Sequence, residues 1–264
     1  MLDFIYFMKR LAIIILAAGR GKRMKSHLPK VLHPLANRPL LVHVIDLAKG
    51  LNPEKMIVVI GHGAEKVKQL SVEKIKFVEQ KEQLGTGHAV RQTEEALKNY
   101  NGNLLILSGD VPLLRIDTVR KLIRIHINSG AVVTILTANV DNTTGYGRII
   151  RDSEGRAINI IEEKDASPGI KKITEINSGI YCFKKDFLFN SLKKIDTNNL
   201  QQEYYLTDVV GLAFKSSLKI ETLIAEDPDE IMGINTQEEL KKAEEIYVRN
   251  RGLHRVAECC PNTD

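Results

Sequence analysis

Leu11-Ala-Ile-Ile-Ile-Leu-Ala-Ala-Gly-Arg-Gly-Lys-Arg-Met24 is the stretch on which the reading of this chain turns. Its opening residues are apolar and rich in β-branching, and they give way abruptly to small residues, as in a buried strand entering a tight loop. Gly19 and Gly21 let backbone N–H groups approach a ligand closely. Lys22, Arg23, Lys25 and, a little further on, Lys30 add four cations beside those amides, a combination suited to phosphates. Two phosphate motifs are excluded. The third glycine of Gly-x-Gly-x-x-Gly would fall on Met24, and no Gly-Lys-Ser/Thr ending stands where a Walker loop needs one. By itself the loop also fits a glycine-rich turn beside a solvated basic face.

Further along, segments alternate. Pro39 suits the first turn of a helix with Leu40, Leu41, Val44, Ile45 and Ala48 on one face and Gly50 at its end. Met56 to Ile60 is a second buried strand, running into Gly61-His62-Gly63, then a short helix over Ala64 to Leu70 and a strand over Ile75 to Val78. Gln83-Leu-Gly-Thr-Gly-His88 opens a helix expected to reach about Asn99. Leu104 to Leu107 is a fourth strand, closed by Ser108-Gly109-Asp110-Val111-Pro112. Asp117 is expected to cap the next helix, and Ala131 to Ala138 is β-rich. This order predicts a mostly parallel sheet with helices on both faces, whose ligands sit beyond the carboxyl ends of the strands. After Thr144 the texture becomes β-rich. Gly147 to Arg151 and Arg156 to Ile161 form a hairpin, Asn177 to Phe183 is a strand, Leu206 to Phe214 a helix and Leu218 to Ile224 extended. Thr236 with Glu239 makes a capping box before a last helix.

Composition bounds the alternatives. Of 264 residues, 27% are charged and 43% hydrophobic, as in an ordinary globular protein. The net charge of +5 is spread along the chain outside the first loop, so anionic small molecules account for it and no nucleic-acid partner is expected. Cys182, Cys259 and Cys260 make neither a disulfide framework nor a metal-ligand spacing, and a reducing cytoplasm is the default. Lys9 and Arg10 before the apolar run imitate a secretory signal. The run is too short, and it meets Arg20, Lys22 and Arg23 at once; no membrane insertion is expected.

Asp110, at the end of a buried strand, either caps the following segment or ligates Mg²⁺, an ion that retains waters and needs only one or two protein oxygens besides substrate phosphates. Asn235, just before the last helix, offers a second oxygen or else caps that helix.

Several motifs, in order, resemble one family. Leu16-Ala-Ala-Gly-Arg-Gly-Lys-Arg-Met24 with Leu28-Pro-Lys-Val-Leu32, Gln83-Leu-Gly-Thr-Gly-His-Ala89, Gly109-Asp-Val-Pro-Leu113, Thr144-Gly-Tyr-Gly-Arg148, Glu175-Ile-Asn-Ser-Gly179, Glu203-Tyr-Tyr-Leu-Thr-Asp208 and Gly233-Ile-Asn235 are similar to the uridylyltransferase half of bacterial bifunctional GlmU, the N-acetylglucosamine-1-phosphate uridyltransferases. The likeness covers about Leu11 to Arg249. It implies an α/β, Rossmann-like nucleotidyltransferase fold: a mostly parallel central sheet flanked by helices, with a β-rich acceptor-binding lobe. The expected division is an extension over 1–10, a transferase domain over 11–249 and a tail over 250–264. Within the domain, a nucleotide-binding part covers about 11–140 and an acceptor-binding part about 141–235.

The resemblance also implies substrates and roles. UTP and N-acetylglucosamine-1-phosphate would be the partners, Mg²⁺ the cofactor, and UDP-N-acetylglucosamine for cell-envelope synthesis the product. Leu16, Ala17, Ala18 and Gly19 would cradle the nucleotide, Gln80, Gly85 and Thr86 would read uracil, and Arg23 and Lys30 would meet the phosphates as catalytic residues. Asp110 and Asn235 would hold Mg²⁺; Gly147, Glu162 and Asn177 would contact the acetamido sugar. His62 and His88, both in glycine-flanked turns, are expected to be structural. Two departures stand out. The residue before Gly109-Asp110 is typically aromatic in the family, whereas here it is Ser108. The bifunctional members continue into a hexapeptide-repeat β-helix that acetylates glucosamine-1-phosphate; no such repeats follow Asn250, so uridylyl transfer alone and a monomer are expected.

Overall fold

The computed structural model describes residues 10–70 and 73–258; most of the N-terminal extension, and Cys259 and Cys260, lie outside the described residues. Among the described residues, nine strands share one sheet: β1 (Leu11–Ala17), β2 (Lys55–Ile60), β3 (Lys76–Glu79), β4 (Asn103–Ser108), β5 (Val133–Asn139), β6 (Arg148–Arg151), β7 (Ala157–Ile161), β8 (Glu175–Lys184) and β9 (Ile220–Ile224). Across the sheet they run β9-β5-β8-β4-β1-β2-β3, with the β6–β7 hairpin attached to the start of β8. β1 pairs in parallel with β2 and β4, as do β2 with β3 and β9 with β5. β8 alone is antiparallel to both of its long neighbours, β4 and β5.

That reversal matters for function. Parallel strands deliver their loops to one end, and an inserted antiparallel strand begins where its neighbours finish. The first residues of β8, from the second half of the chain, therefore reach the same crevice as the loops after β1 and β4.

Among the described residues there are seven α-helices: α1 (Leu40–Gly50), α2 (Ala64–Lys68), α3 (Thr86–Arg91), α4 (Ile116–Ser129), α5 (Lys185–Leu192), α6 (Asp208–Lys215) and α7 (Gln237–Glu258). The pleat splits β1 between two cores. Leu11, Ile13, Ile15 and Ala17 pack with Leu41, Val44 and Ile45 of α1 and Val119, Leu122 and Ile123 of α4. Ala12 and Ile14 face the opposite core, with Val90 of α3, Leu188 of α5 and Val209 and Val210 of α6. Burial on both faces is what turns β1 into an uninterrupted apolar run. A smaller cluster of Met24, Leu35, Leu40, Ile234, Leu240 and Ala243 fastens the loop after β1 to the start of α7. Among the described residues no helix is long and apolar enough to cross a membrane.

Local expectations needed correction at three helix ends. Pro39 stands at the N-cap of α1, one position outside its first turn. α3 stops at Arg91 instead of reaching Asn99. The Thr93 hydroxyl donates to Val90 O at 2.7 Å, and the chain tightens into a 3₁₀ turn at Glu95–Leu97. Asp117 does not cap α4; it lies inside the first turn, paired with Arg120 at 3.2 Å. The buried Glu230 does the capping from a distant segment, accepting the Arg115 N–H at 3.1 Å and the Thr118 hydroxyl at 2.9 Å.

The sheet's order sets a stability contrast between two isoleucines. Ile14 is 0% exposed at the centre, so Ile14→Ala should cost about 2–5 kcal/mol. Ile224 is 46% exposed on the edge strand, so Ile224→Ala should stay within roughly 1 kcal/mol. Urea unfolding midpoints read both, and comparable losses at the two sites would contradict this placement of the core.

Candidate active site

The loops that leave β1, β3 and β4 open at one end of the sheet around a cleft of about 580 Å³. Every residue expected to hold the nucleotide lines it: Leu16, Ala17, Ala18, Gly19, Gln80, Gly85 and Thr86, together with Lys30 and Asp110. Arg23 is exposed; its Nη1 comes within 3.9 Å of where a Cβ on Gly145 would sit.

One wall of the cleft is made by two distant motifs locked together. Tyr204 donates its N–H to Leu84 O and accepts the Gly87 N–H, both at 2.8 Å, and Leu206 N–H meets Thr86 Oγ1 at 3.0 Å. Gly85 has φ of +102°, and a Cβ there would lie 2.6 Å from Tyr204 O, so only glycine lets the two backbones meet this closely. Gln80, 3% exposed, donates its amide to Gly85 O at 3.0 Å and thereby holds the same loop from behind. The His88 ring nitrogens lie 3.0 Å from the amide nitrogens of Gln80 and Gln92, and burial, reinforced by nearby Arg91, lowers its pKa. His62 is exposed in the turn after β2.

Lys30, Asp110 and Asn235, far apart in sequence, meet at the floor of the cleft. Lys30 Nζ binds Asp110 Oδ2 and donates to Asn235 Oδ1 at 2.9 Å. The backbone fixes both acceptors: Ile234 N–H reaches Asp110 O at 2.9 Å, and Glu239 Oε2 takes the Asn235 N–H at 2.5 Å. Thr236 and Glu239 form the capping box, with bonds of 3.1 and 3.0 Å, which leaves the Asn235 side chain free of capping duty. No group of three or more His, Cys, Asp and Glu suited to a metal occurs among the described residues. Two oxygens converging on one point are nevertheless what a hard divalent cation takes from a protein when phosphates and waters supply the rest. The Lys30 ammonium, already seated there, shows that the point accepts positive charge.

A second pocket, of about 190 Å³, adjoins the first across Leu16, Thr86 and Ser108. Gly147, Glu162 and Asn177, the expected sugar contacts, all line it. The hairpin brings them together. Gly147 precedes β6, Glu162 follows β7, and Arg148 pairs with Ile161, so both flanking residues emerge at the same end. Asn177 joins through its N–H to Gly147 O at 2.9 Å. The fully buried Arg148 steadies the surrounding loop, donating to Glu163 Oε2 at 2.7 Å, to Thr143 Oγ1 at 2.8 Å and to Tyr146 O. Desolvation raises the pKa of Glu162, and Asp208, Asp165 and Glu203 nearby push it further the same way.

Two contributors, Thr207 and Tyr204, were given no role in the sequence, and two residues singled out there, Glu239 as a capping residue and Ser108 as a departure from the family, have a further one. Thr207 donates its hydroxyl to Glu162 Oε1 at 3.0 Å, Tyr204 supplies the backbone lock, Glu239 holds the Asn235 peptide, and Ser108 forms part of the border between the pockets. Thr207 and Tyr204 stand in the Glu203–Asp208 motif, whose lack of any assigned role was the available signal.

Comparison with known proteins agrees with this architecture. Residues 13–170, more than half of the chain, match the model of the MobA-like NTP transferase domain. The chain is 48% identical over 236 residues to the bifunctional protein GlmU of Streptococcus gordonii, covering 89% of this chain and 51% of that one. Against GlmU of Desulfotalea psychrophila the identity is 45%, covering 89% of this chain and 70% of the relative; for Pelobacter propionicus the figures are 46%, 93% and 54%. The chain thus spans between half and 70% of the length of these curated relatives. Among solved structures, a UDP-glucose pyrophosphorylase complexed with UDP-glucose superposes with a TM-score of 0.70 at 18% identity, over 91% of this chain and 99% of that one, a likeness of fold. On the domain match and these relatives, the chain belongs to the MobA-like NTP transferase family, in the group that contains the GlmU proteins.

Proposed function

We propose that this chain transfers the uridylyl group of UTP to N-acetylglucosamine-1-phosphate in a Mg²⁺-dependent reaction, giving UDP-N-acetylglucosamine and pyrophosphate for cell-envelope synthesis. The observation that carries this reading is the pair of adjoining pockets. A nucleotide cleft with a cation point at its floor borders a smaller polar pocket, so a donor phosphate and an acceptor phosphate can meet at the shared border of Leu16, Thr86 and Ser108. The motif-by-motif resemblance to the uridyltransferases supports the choice of UTP and the acetamido sugar.

The chemistry needs positioning more than it needs a base. A sugar 1-phosphate, with a second pKa of about 6, is largely dianionic near neutrality, so its oxygen attacks the α-phosphorus directly. A P–O bond forms to that oxygen, the bond to the β-phosphate oxygen breaks, and pyrophosphate leaves in line. Arg23 and Lys30 lower the charge repulsion between the two phosphates, and the amides around Gly19 orient the triphosphate. Asp110 and Asn235 are the residues to hold Mg²⁺, which when bound neutralises charge on the reacting phosphate oxygens. Glu162 and Asn177 accept and donate hydrogen bonds to the sugar's hydroxyl and acetamido groups.

Pyrophosphate release across a panel of nucleoside triphosphates and sugar phosphates tests the assignment. UTP with N-acetylglucosamine-1-phosphate should lead, with glucosamine-1-phosphate poorer in kcat/KM by on the order of a hundredfold, because it leaves buried polar partners unpaired. Equal use of the two sugars would remove the pocket assignment.

Asp110→Asn should lower kcat on the order of a hundredfold while the protein stays folded, since it removes charge at the cation point and nothing from the core. Near-normal turnover at limiting Mg²⁺ would refute the ligand role.

The raised pKa of Glu162 gives a pH signature. A carboxyl shifted upward takes up its proton at a higher pH than an ordinary carboxylate and then loses an acceptor. The KM for the sugar phosphate should therefore begin to climb, as pH falls, before the ordinary carboxylate range is reached, and more steeply in the parent protein than in Glu162→Gln. The substrate's own ionisation is common to both, so superimposable profiles would exclude Glu162 from acceptor binding.

A further inference from the structure

Lys30 occupies the point at which Asp110 and Asn235 would hold a cation, and its side chain is only 15% exposed there. An ammonium and a divalent cation cannot share those two oxygens, because like charges a few ångströms apart repel strongly in a partly desolvated cleft. Entry of the metal therefore requires Lys30 Nζ to leave. The stem of Lys30 is anchored under the glycine loop: a Cβ placed on Gly21 would lie 2.7 Å from Lys30 Cβ, so the base of the side chain is fixed while its four-carbon arm can turn. Lys30 also lines the nucleotide cleft beside Gly19 and Gly21, where a triphosphate would offer the departing ammonium a new anion.

We propose that Lys30 is a tethered counter-ion that exchanges with the divalent cation: it neutralises Asp110 when no metal is bound, and it moves onto the nucleotide's phosphates as the metal takes its place. The proposal rests on reading Asp110 and Asn235 as cation ligands, and it adds a coupling to that reading. Without nucleotide the metal must displace Lys30 into solvent, which weakens metal binding. With nucleotide the displaced charge is reused, so the two ligands favour each other, and the linkage is reciprocal. The oxygen pair does not need Lys30 to stay in place, since Asn235 Nδ2 donates to Gly233 O at 3.2 Å and Ile234 N–H ties Asp110 O at 2.9 Å.

The test is one substitution with two effects of opposite sign. Lys30→Met keeps the stem and removes the charge. Mn²⁺ binding to the nucleotide-free protein, followed by the electron paramagnetic resonance of free Mn²⁺, should tighten by about tenfold or more, because an uncompensated carboxylate is left for the metal. Binding of metal-free UTP in EDTA, followed by calorimetry, should weaken severalfold. A merely structural lysine would weaken both, and Lys30→Ala should repeat the pattern if folding of either variant is in question. Asp110→Asn, alone or combined with Lys30→Met, should abolish the Mn²⁺ binding. If Lys30→Met leaves Mn²⁺ affinity unchanged or lower while Asp110→Asn abolishes it, the exchange is wrong and the ligand assignment stands. If Asp110→Asn binds Mn²⁺ like the parent protein, the ligand assignment itself falls, and the exchange with it.

Discussion

Everything at the site hangs on a strand that has no free side. β1 is hydrogen-bonded to β2 and β4 and buried between two cores, so its polar backbone first meets open space where the strand ends, at Ala18 and Gly19. There the chain has amides to spare, and the glycines leave room to approach them. The neighbouring strands are parallel and end at the same level, which gathers Gln80 and Asp110 around the same opening. The antiparallel β8 then brings Asn177 in from the other half of the molecule.

The parts of this arrangement that could be read in the sequence are those enforced locally. A strand buried on both faces must be apolar throughout, so the run over Leu11 to Leu16 announces itself, and a loop that approaches phosphates needs glycine and cations close by. The parts that could not be read depend on partners without periodic relation. Glu230 caps α4 across more than a hundred residues, and no pattern near Asp117 hints that the cap lies elsewhere. Thr93 ends α3 with a hydroxyl bond that propensity does not foresee. The acceptor-pocket residues came from the family resemblance alone; spacing could not have joined Gly147, Glu162 and Asn177, which meet only because a hairpin folds back on the start of β8.

Charge at the floor of the cleft is arranged in the same non-local way. Lys30, Asp110 and Asn235 stand on three loops, and what brings them together is apolar: Met24, Leu35 and Leu40 packing on Ile234, Leu240 and Ala243. The small cluster contributes no atom to the chemistry described above. It decides where the ammonium can sit, and through the Thr236–Glu239 box it fixes the peptide from which Asn235 reaches in.

The backbone lock between Leu84–Gly87 and Tyr204–Leu206 has a consequence for how this molecule can vary. One of its strips of chain walls the larger cleft, and the other continues into Leu206 and Thr207 beside the smaller pocket, so the two pockets share a single seam. Because main-chain groups make most of the seam, exchanging side chains along it leaves the alignment intact, whereas inserting or deleting a residue in either strip shifts both pockets at once. Under the proposed function, donor choice and acceptor choice are therefore coupled, and a variant with a new nucleotide preference has to refit its sugar pocket in the same step.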